Sequence, residues 1–567
     1  MDRISVVSDV LVIGSGAAGM MAAKAAADKG AQVVLVDKSI IGRGGATVLA
    51  QMTVAVALGE AEQDSIQTHF EDTMNGSRGL ADPAIVQAIV ERGPELINEL
   101  ERYGVKWAKT AEGIRSQVVA PGHTRRRCVY VDILNTGGAT SAGLRKAIWK
   151  NPLIARHKNI MITKIVVEQG KAVGAIGFEF ETLKLVKFTA KSIILATGGL
   201  TEIYARNSAS ANMTGDGFML AAEAGAQLRD MELIQFFPIA HLYPPLVGID
   251  PIMWDPFRYK LGGQLLNGLY EEFMDKYNNE VSGVYTASRD QTSFAIFNEV
   301  KEGRGSKHGG AYLDFTMVEE HKIKEAFGPT IDLLARQGVD LTKDYVEVAP
   351  MAHFTMGGIK VNPQMETTVK GLYACGELIH GMHGANRLSG NALTEAFVSG
   401  RIAGEQGSTT SEALCEWSET LIDEEEKRLK QIWYPKDVTK DEQSMLSIKH
   451  ELQHIMWVGA GALRSAEKLE KAKEELQQLY KKCRETALAP TTSFALPLLE
   501  KLELENMIKL SEAIIAGAHR RKETRGAHVR LDYDQTNDEA ISFIYERINK
   551  AEWKLEEVRV AQNLVEG

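Results

Sequence analysis

The sequence predicts an α/β protein, with a Rossmann-like dinucleotide-binding domain at its start and a helical region towards its end. Three observations predict this. A glycine fingerprint lies between an apolar strand and an Ala-rich helix in "DVLVIGSGAAGMMAAKAAADKGAQVVLVDKS". A second buried strand, "KSIILATGG" at 191–199, ends in Thr-Gly-Gly. Leu469, Ala472, Leu476, Leu479 and Cys483 recur at helical spacing.

The first strand, Val10 to Ile13, leads into Gly14, Gly16 and Gly19, and the following helix runs to a second strand, Gln32 to Val36, closed by Asp37. Glycines at these places let the backbone approach a pyrophosphate, the helix N-terminus favours its charge, and an acid about 20 residues on suits a ribose hydroxyl. A Gly- and Ala-rich element follows at once, "KSIIGRGGATVLAQMTVAVALG". It could lie against a flat ring, and together with "KSIILATGG" at 191–199 it resembles FAD-binding flavoproteins. The run "DEEEKRLK" at 423–430 reads as a solvated helix face, and Pro490 as the break that marks a linker.

Composition narrows the function. A chain of 567 residues is too long for one core, so several domains are expected. A net charge of -10 without a long basic run argues against nucleic acid and against an anionic membrane surface. No stretch reaches the length of a membrane span, and no apolar signal core precedes the first strand, so a cytoplasmic protein is expected. Cys128, Cys375, Cys415 and Cys483 form no C-x-x-C, so no iron–sulfur cluster, attached haem or zinc knuckle is legible, and inert thiols are expected. Redox chemistry in this chain therefore calls for a partner or small molecule to exchange the electrons.

Eight motifs then occur in order: "HFEDTMNG", "ATGG", "TGDGFMLAAEAGAQLRDMELIQF", "ASRD", "HFTMGGI", "GLYACGE", "HGANRLSGNAL" and "TRGAHVRLD". Together they resemble the flavoprotein subunit of the fumarate reductase / succinate dehydrogenase family, whose cousins include L-aspartate oxidase and the adenylylsulfate reductase α subunit. The resemblance covers nearly the whole chain. It implies a Rossmann-like FAD-binding domain over 1–240 with a return segment at 350–403, an inserted α+β capping domain over 241–349, and a C-terminal helical region over 404–567. As partner it implies an iron–sulfur electron-transfer subunit, in the cytoplasm or peripheral to a membrane through other chains of the complex.

Site residues follow from the same resemblance. FAD falls to Gly14, Gly16, Ala18, Gly19, Asp37 and Lys38, then to Gly45, Ala46, Thr47, Thr197, Gly198 and Asp216. Later come Gly376, Glu377, Arg387, Asn391, Ala392, Leu393 and Glu395, the last matching a ribityl contact. The helix starting near Asn391 would aim its N-terminus at the flavin, where reduction builds negative charge. His353 and Arg387 match a clamp for a substrate carboxylate, a task that suits the planar fork of arginine. Arg289 matches the proton-donating arginine. A group with a pKa above about 12 can donate only if neighbours reprotonate it at once. Asp255 and Arg258 in "WDPFR" take those relay positions.

The chain departs from the family pattern in three places. No histidine precedes His69, and "RGGATV" stands where membrane-bound relatives carry the flavin covalently, so non-covalent FAD and a bias towards reduction are expected. Phe237-Pro238-Ile239 replaces a His-Pro-Thr that holds the second carboxylate, and Trp254 replaces an assisting threonine. The expected substrate is thus a small α,β-unsaturated carboxylate whose far end is less polar than that of fumarate. Local rearrangement, with His241, Tyr243 or Arg258 taking over, is the competing reading of that wall. An adenylylsulfate reductase α-like enzyme, an L-aspartate oxidase-like enzyme and a catalytically silent flavin relay stay open beside it. An FAD protein acting on tRNA is disfavoured by the acidic charge.

Overall fold

The structure is a computed structural model. It describes residues 2–131, 135–248, 250–277, 288–410, 412–433, 444–488, 494–548 and 552–560, with backbone alone at 256, 259 and 260. Two positions singled out in the sequence, Ala287 of "ASRD" and Pro490, lie outside these ranges.

Apolar runs near the start of the chain build the central sheet. Its parallel part runs Ile154–His157, Val33–Val36, Arg3–Ile13, Lys184–Leu195 and Leu372–Ala374. Strands buried on both faces read as continuous hydrophobic runs, which is why Val10–Ile13 and Val33–Val36 show no alternation. Lys171–Glu179 and Ile160–Glu168 extend the sheet antiparallel. Ile13, Val36, Leu195 and Ala374 therefore end side by side, and ligands of open α/β sheets bind at such carboxyl ends.

The return segment is tied to the first domain by small residues. The helix Asn391–Gly407 packs on the helix Ala17–Asp28 at backbone contact distance. A Cβ on Gly400 would lie 2.3 Å from the Ala18 carbonyl oxygen, and one on Gly404 would lie 2.2 Å from that of Ala22. No side chain fits at either place, so these glycines set the helix spacing.

A second sheet, antiparallel, orders Ile234–Tyr243, Val346–Thr355, Ala311–Asp314 and Gln264–Leu266. It belongs to a separate core of Trp254, Phe257, Phe315, Phe327 and their neighbours. Its two longest strands begin before residue 241 and continue past 349, so they carry residues from the cap back to the cavity described below.

The late helices include Ala466–Glu485, whose buried residues are Leu469, Ala472, Leu476, Leu479 and Cys483, the set picked out by helical spacing. In the helix Thr420–Trp433, Ile422, Glu425, Leu429 and Trp433 are buried, and much of the acidic run faces solvent. The last described helix ends at Arg520, and a hairpin of Ile541–Ile548 and Glu552–Arg559 follows it. "TRGAHVRLD" has a structural task here. Buried Arg530 donates to the carbonyls of Ala518, His519 and Arg521, satisfying the orphan acceptors at the end of the helix Leu496–Arg520. No helix among the described residues is long and apolar enough to cross a membrane.

Candidate active site

An elongated cavity opens at the carboxyl ends of the parallel strands. The glycine fingerprint lines one end. Gly14 and Gly19 are demanded by the protein itself: a Cβ on Gly14 would lie 2.4 Å from the Ala196 carbonyl oxygen, and one on Gly19 would lie 1.9 Å from that of Gly14. Gly16 is different. Its Cβ would meet only Thr47 Oγ1, at 3.6 Å, and would stand in the cavity. A cradle that a single methyl group would fill fits the close approach of a pyrophosphate.

Asp37 lies on this wall and accepts from the backbone N–H and hydroxyl of Ser15 on one oxygen and from those of Ser39 on the other. Lys38 is also on the wall, but all three of its ammonium hydrogens are taken, by Thr214 Oγ1 at 2.6 Å, Asp216 Oδ2 at 2.6 Å and Glu503 Oε1 at 2.5 Å. Burial opposes the charge, yet the two carboxylates hold the Lys38 pKa above its ordinary value. Lys38 and Asp216 thus brace the wall by holding each other, with Glu503 reaching in from the helical region.

Gly45, Ala46, Thr47, Thr197, Gly198, Gly376, Glu377, Ala392 and Leu393 line the cavity as well, with Ala18 beneath them. The wall bears buried polar atoms with no protein partner, Thr197 Oγ1, Gln51 Oε1 and Thr53 Oγ1. Such atoms call for a ligand or water to complete them. The residues present therefore fit a dinucleotide carrying a polar ring system.

Three expected contacts lie elsewhere. Gly19 faces the Gly14 carbonyl. Asn391 turns to His69 and Thr73. Glu395 is buried against His383, with Oε2 2.9 Å from Nε2. The cause is helical phase: Ala392, Leu393 and Ala396 face the cavity, whereas 391 and 395, one turn apart, share another face.

At the opposite end the cap meets the return loop. Arg387 lies on the wall with its guanidinium over the Phe354 ring, 4.6 Å from the centroid, and its Nε donates to Gln235 Oε1 at 3.1 Å. Gln235 Nε2 donates back to the Arg387 carbonyl at 2.8 Å, so one amide fixes both ends of the residue. His353, half-buried, shares a 2.7 Å hydrogen bond with Ser208 through Nδ1. Arg289 opens the helix Arg289–Lys301, and its guanidinium lies 5.0 Å from the centroid of the Phe237 ring. Phe237 also packs against His353, ring centroids 5.3 Å apart.

Behind Arg289, away from the cavity, stands Asp255. Its Oδ2 accepts from Arg289 Nη2 at 3.1 Å. Asp255 and Arg258 are both buried and occupy successive turns of the helix Trp254–Leu261. Trp254 does not form part of the cavity wall, contrary to expectation. Its ring packs into the cap core beside Phe315 and Phe327, and its indole N–H donates to His241 Nδ1 at 3.2 Å. At the start of the helix it turns into the cap, leaving Phe237 as the aromatic substitution on the wall.

Electrostatics at this end favour an anion. Burial and then the neighbouring Arg289 charge press the Arg387 guanidinium down to about 9, despite nearby carboxylates. Burial and the same two arginines hold His353 well below the usual imidazole range, so it is neutral near pH 7. Burial pushes Glu377 up to about 8, against the Thr355 N–H and Arg387. Two guanidiniums thus face a neutral imidazole and a protonated carboxyl, with Asp255 as the nearby counter-charge.

Sequence reading missed Gln235, Ser208 and Ser389. Gln235 had a usable signal: it stands two residues before Phe237 on a strand, hence on the same face. Ser208 and Ser389 lie in loops whose approach to the site no periodicity announces.

Comparisons with known proteins identify the family. A family model described as FAD binding domain matches residues 9–393, and one described as Fumarate reductase flavoprotein C-term matches 449–565. The chain is 35% identical over 535 residues to a fumarate reductase (CoM/CoB) subunit of Methanothermobacter marburgensis, covering 94% of this chain and 95% of that protein. It is 30% identical to the fumarate reductase flavoprotein subunit of Escherichia coli, covering 95% and 90%. Among solved structures, a mutant of E. coli quinol fumarate reductase FrdA superposes with a TM-score of 0.89 at 29% identity, covering 98% and 97%. Adenylylsulfate reductase from Archaeoglobus fulgidus, at 21% identity and a TM-score of 0.79, shares the fold.

Glu377 yields a prediction with a definite sign. Its folded pKa lies above its unfolded value, so between about pH 4.5 and 8 the folded form alone binds the proton, and stability falls as pH rises through that window. Glu377→Gln should therefore stabilise the FAD-free protein more at pH 8 than at pH 5. Thermal melts of both proteins at the two pH values read this directly. An equal difference at both would contradict it.

Proposed function

Because the chain belongs to the fumarate reductase and succinate dehydrogenase flavoprotein family, and is thus an FAD-dependent oxidoreductase acting on CH–CH groups, we propose that it reduces the carbon–carbon double bond of an α,β-unsaturated carboxylate. The observation that carries this is the pair of buried guanidiniums, Arg387 and Arg289, beside neutral His353 on one cavity wall. FAD supplies the hydride from its N5 when bound, and the remaining roles fall to the residues of this chain.

Arg387 and His353 hold the substrate carboxylate and draw electron density from the alkene. Gln235 and Ser208 keep them oriented, so little freedom is lost on binding. Arg289 delivers the proton. With one N–H on Asp255 and Nε and Nη1 free of protein partners, it connects the substrate end to the buried carboxylate behind it. Asp255 and Arg258 then restore the proton, so the arginine acts as a link and never rests deprotonated.

Phe237 sets the far end. A second carboxylate against this ring would lack the partner it needs, at a cost of several kcal/mol, roughly, for an unpaired buried charge. An apolar group there would gain about 1–3 kcal/mol from burial. We therefore favour one essential carboxylate and a less polar far end, as in an aryl or alkyl acrylate. Fumarate is the alternative, favoured by the names of several relatives. Steady-state rates on fumarate, acrylate, crotonate and cinnamate decide between them. A kcat/KM for fumarate tenfold or more above the others would overturn the Phe237 reading.

Electrons reach the flavin from a separate carrier, an iron–sulfur subunit in this reading. The support is an FAD fold without clustered cysteines, together with relatives named as subunits. The complex works in the cytoplasm, or at a membrane through its partners alone.

Two further outcomes are expected. The FAD is held non-covalently, since His353 is the one histidine among the cavity-lining residues described and it belongs to the substrate end. Acid precipitation should leave the yellow cofactor in the supernatant, and flavin retained by the precipitate would contradict this. Arg289→Ala should lower turnover by about 10²–10⁴-fold, the usual worth of a positioned acid, with FAD content unchanged. Turnover near that of the wild type would refute the role.

A further inference from the structure

Two histidines outside the cavity wall hold the loop that carries Arg387. His123 Nε2 lies 2.7 Å from the Ser389 carbonyl oxygen, and Cys128 Sγ approaches the same oxygen at 3.8 Å. His69 Nε2 lies 2.9 Å from Asn391 Oδ1. All of these groups are buried. The bonds bracket Gly390, whose φ of 88° makes the turn between loop and helix. Arg387 and Ser389 are on the cavity wall, and Ser389 Oγ is 3.5 Å from Arg289 Nη2.

The hydrogen-bond chain fixes both tautomers. A carbonyl only accepts, so His123 carries its proton on Nε2. The Thr73 hydroxyl donates to the His69 carbonyl at 2.8 Å, so it accepts from Asn391 Nδ2 at 3.1 Å. Asn391 Oδ1 is then left to accept, and His69 also donates from Nε2. Both Nδ1 atoms are lone-pair acceptors, buried without protein partners, on rings 5.7 Å apart. Arg127 stands near both. Its Nη2 is paired with Asp64 and Asp72 at 3.0 Å each, while Nε and Nη1 are buried donors without protein partners. Burial above all, with the Arg127 charge adding to it, holds both imidazoles below their ordinary range and so neutral, which preserves this pattern.

We propose that His69 and His123 are positioning residues: as Nε2–H donors they fix the Ser389–Asn391 turn, and through it set Arg387 and Ser389 at the substrate end of the cavity. Neither touches the cavity. This rests on the proposed role of Arg387, so the test carries one readout that needs no substrate.

Four variants test it in the FAD-loaded protein: His123→Leu and His69→Leu remove the donor, while His123→Gln and His69→Gln place an amide N–H near the Nε2 position. The first readout is hydrogen exchange of peptides spanning 383–391, followed by mass spectrometry. The second is kcat/KM on the best carboxylate of the panel above. The leucine variants should speed exchange of the loop about tenfold and lower kcat/KM about tenfold, equivalent to about 1.4 kcal/mol, with FAD content unchanged. The glutamine variants should return both to within about threefold. Wild-type exchange in the leucine variants, or glutamine variants as impaired as leucine, would overturn the proposal. If the leucine variants do not fold, His123→Asn takes their place, since its amide sits near the Nδ1 position and cannot reach Ser389. Equal behaviour of His123→Asn and His123→Gln would then overturn it. If no carboxylate is turned over by the wild type, the functional reading fails, and exchange alone decides this one.

Discussion

Two guanidinium groups share one buried wall, and that repulsion organises the rest of the site. Arg387 is pressed down to about 9 by burial and by Arg289. Each is given a separate means of tolerating its charge. Arg387 lies over Phe354 and is gripped at side chain and carbonyl by Gln235. Arg289 lies over Phe237 and leans on Asp255. Asp255 pairs with only one of the two, so the wall keeps an excess of positive charge towards the cavity. An arriving carboxylate would relieve it.

The architecture serves this juxtaposition. Arg387 belongs to the return segment, Arg289 to the cap helix Arg289–Lys301, and Phe237 and His353 to the two long cap strands. They meet because those strands run back from the cap sheet to the edge of the central sheet, where the first strands end. The helix pair Ala17–Asp28 and Asn391–Gly407, held at backbone contact by Gly400 and Gly404, keeps the return loop in register with the glycine fingerprint. Glu503 extends that coupling to the helical region through Lys38.

Much of this was legible in the sequence, for identifiable reasons. Gly14 and Asp37 sit at the ends of apolar strands, and strand ends are fixed by pattern. The buried stripe from Leu469 to Cys483 follows from helical period alone. Less legible were contacts that depend on rotation about an element's axis. Glu395 matched by motif position, yet the phase of its helix turns it to His383. Trp254 was placed on the substrate wall by alignment, whereas its large apolar ring is accommodated by the cap core. Gln235 escaped because its partner lies 152 residues on. His69 and His123 act on a loop far along the chain, and no local spacing links them to it.

The central claim is that an excess of buried positive charge selects a carboxylate. It is tested most directly by the binding of acrylate and its neutral analogue acrylamide to the oxidised, FAD-loaded protein, followed by flavin absorbance. The account predicts that acrylate binds more tightly than acrylamide at pH 7, where both guanidiniums are charged. Equal binding of the two ligands would contradict it.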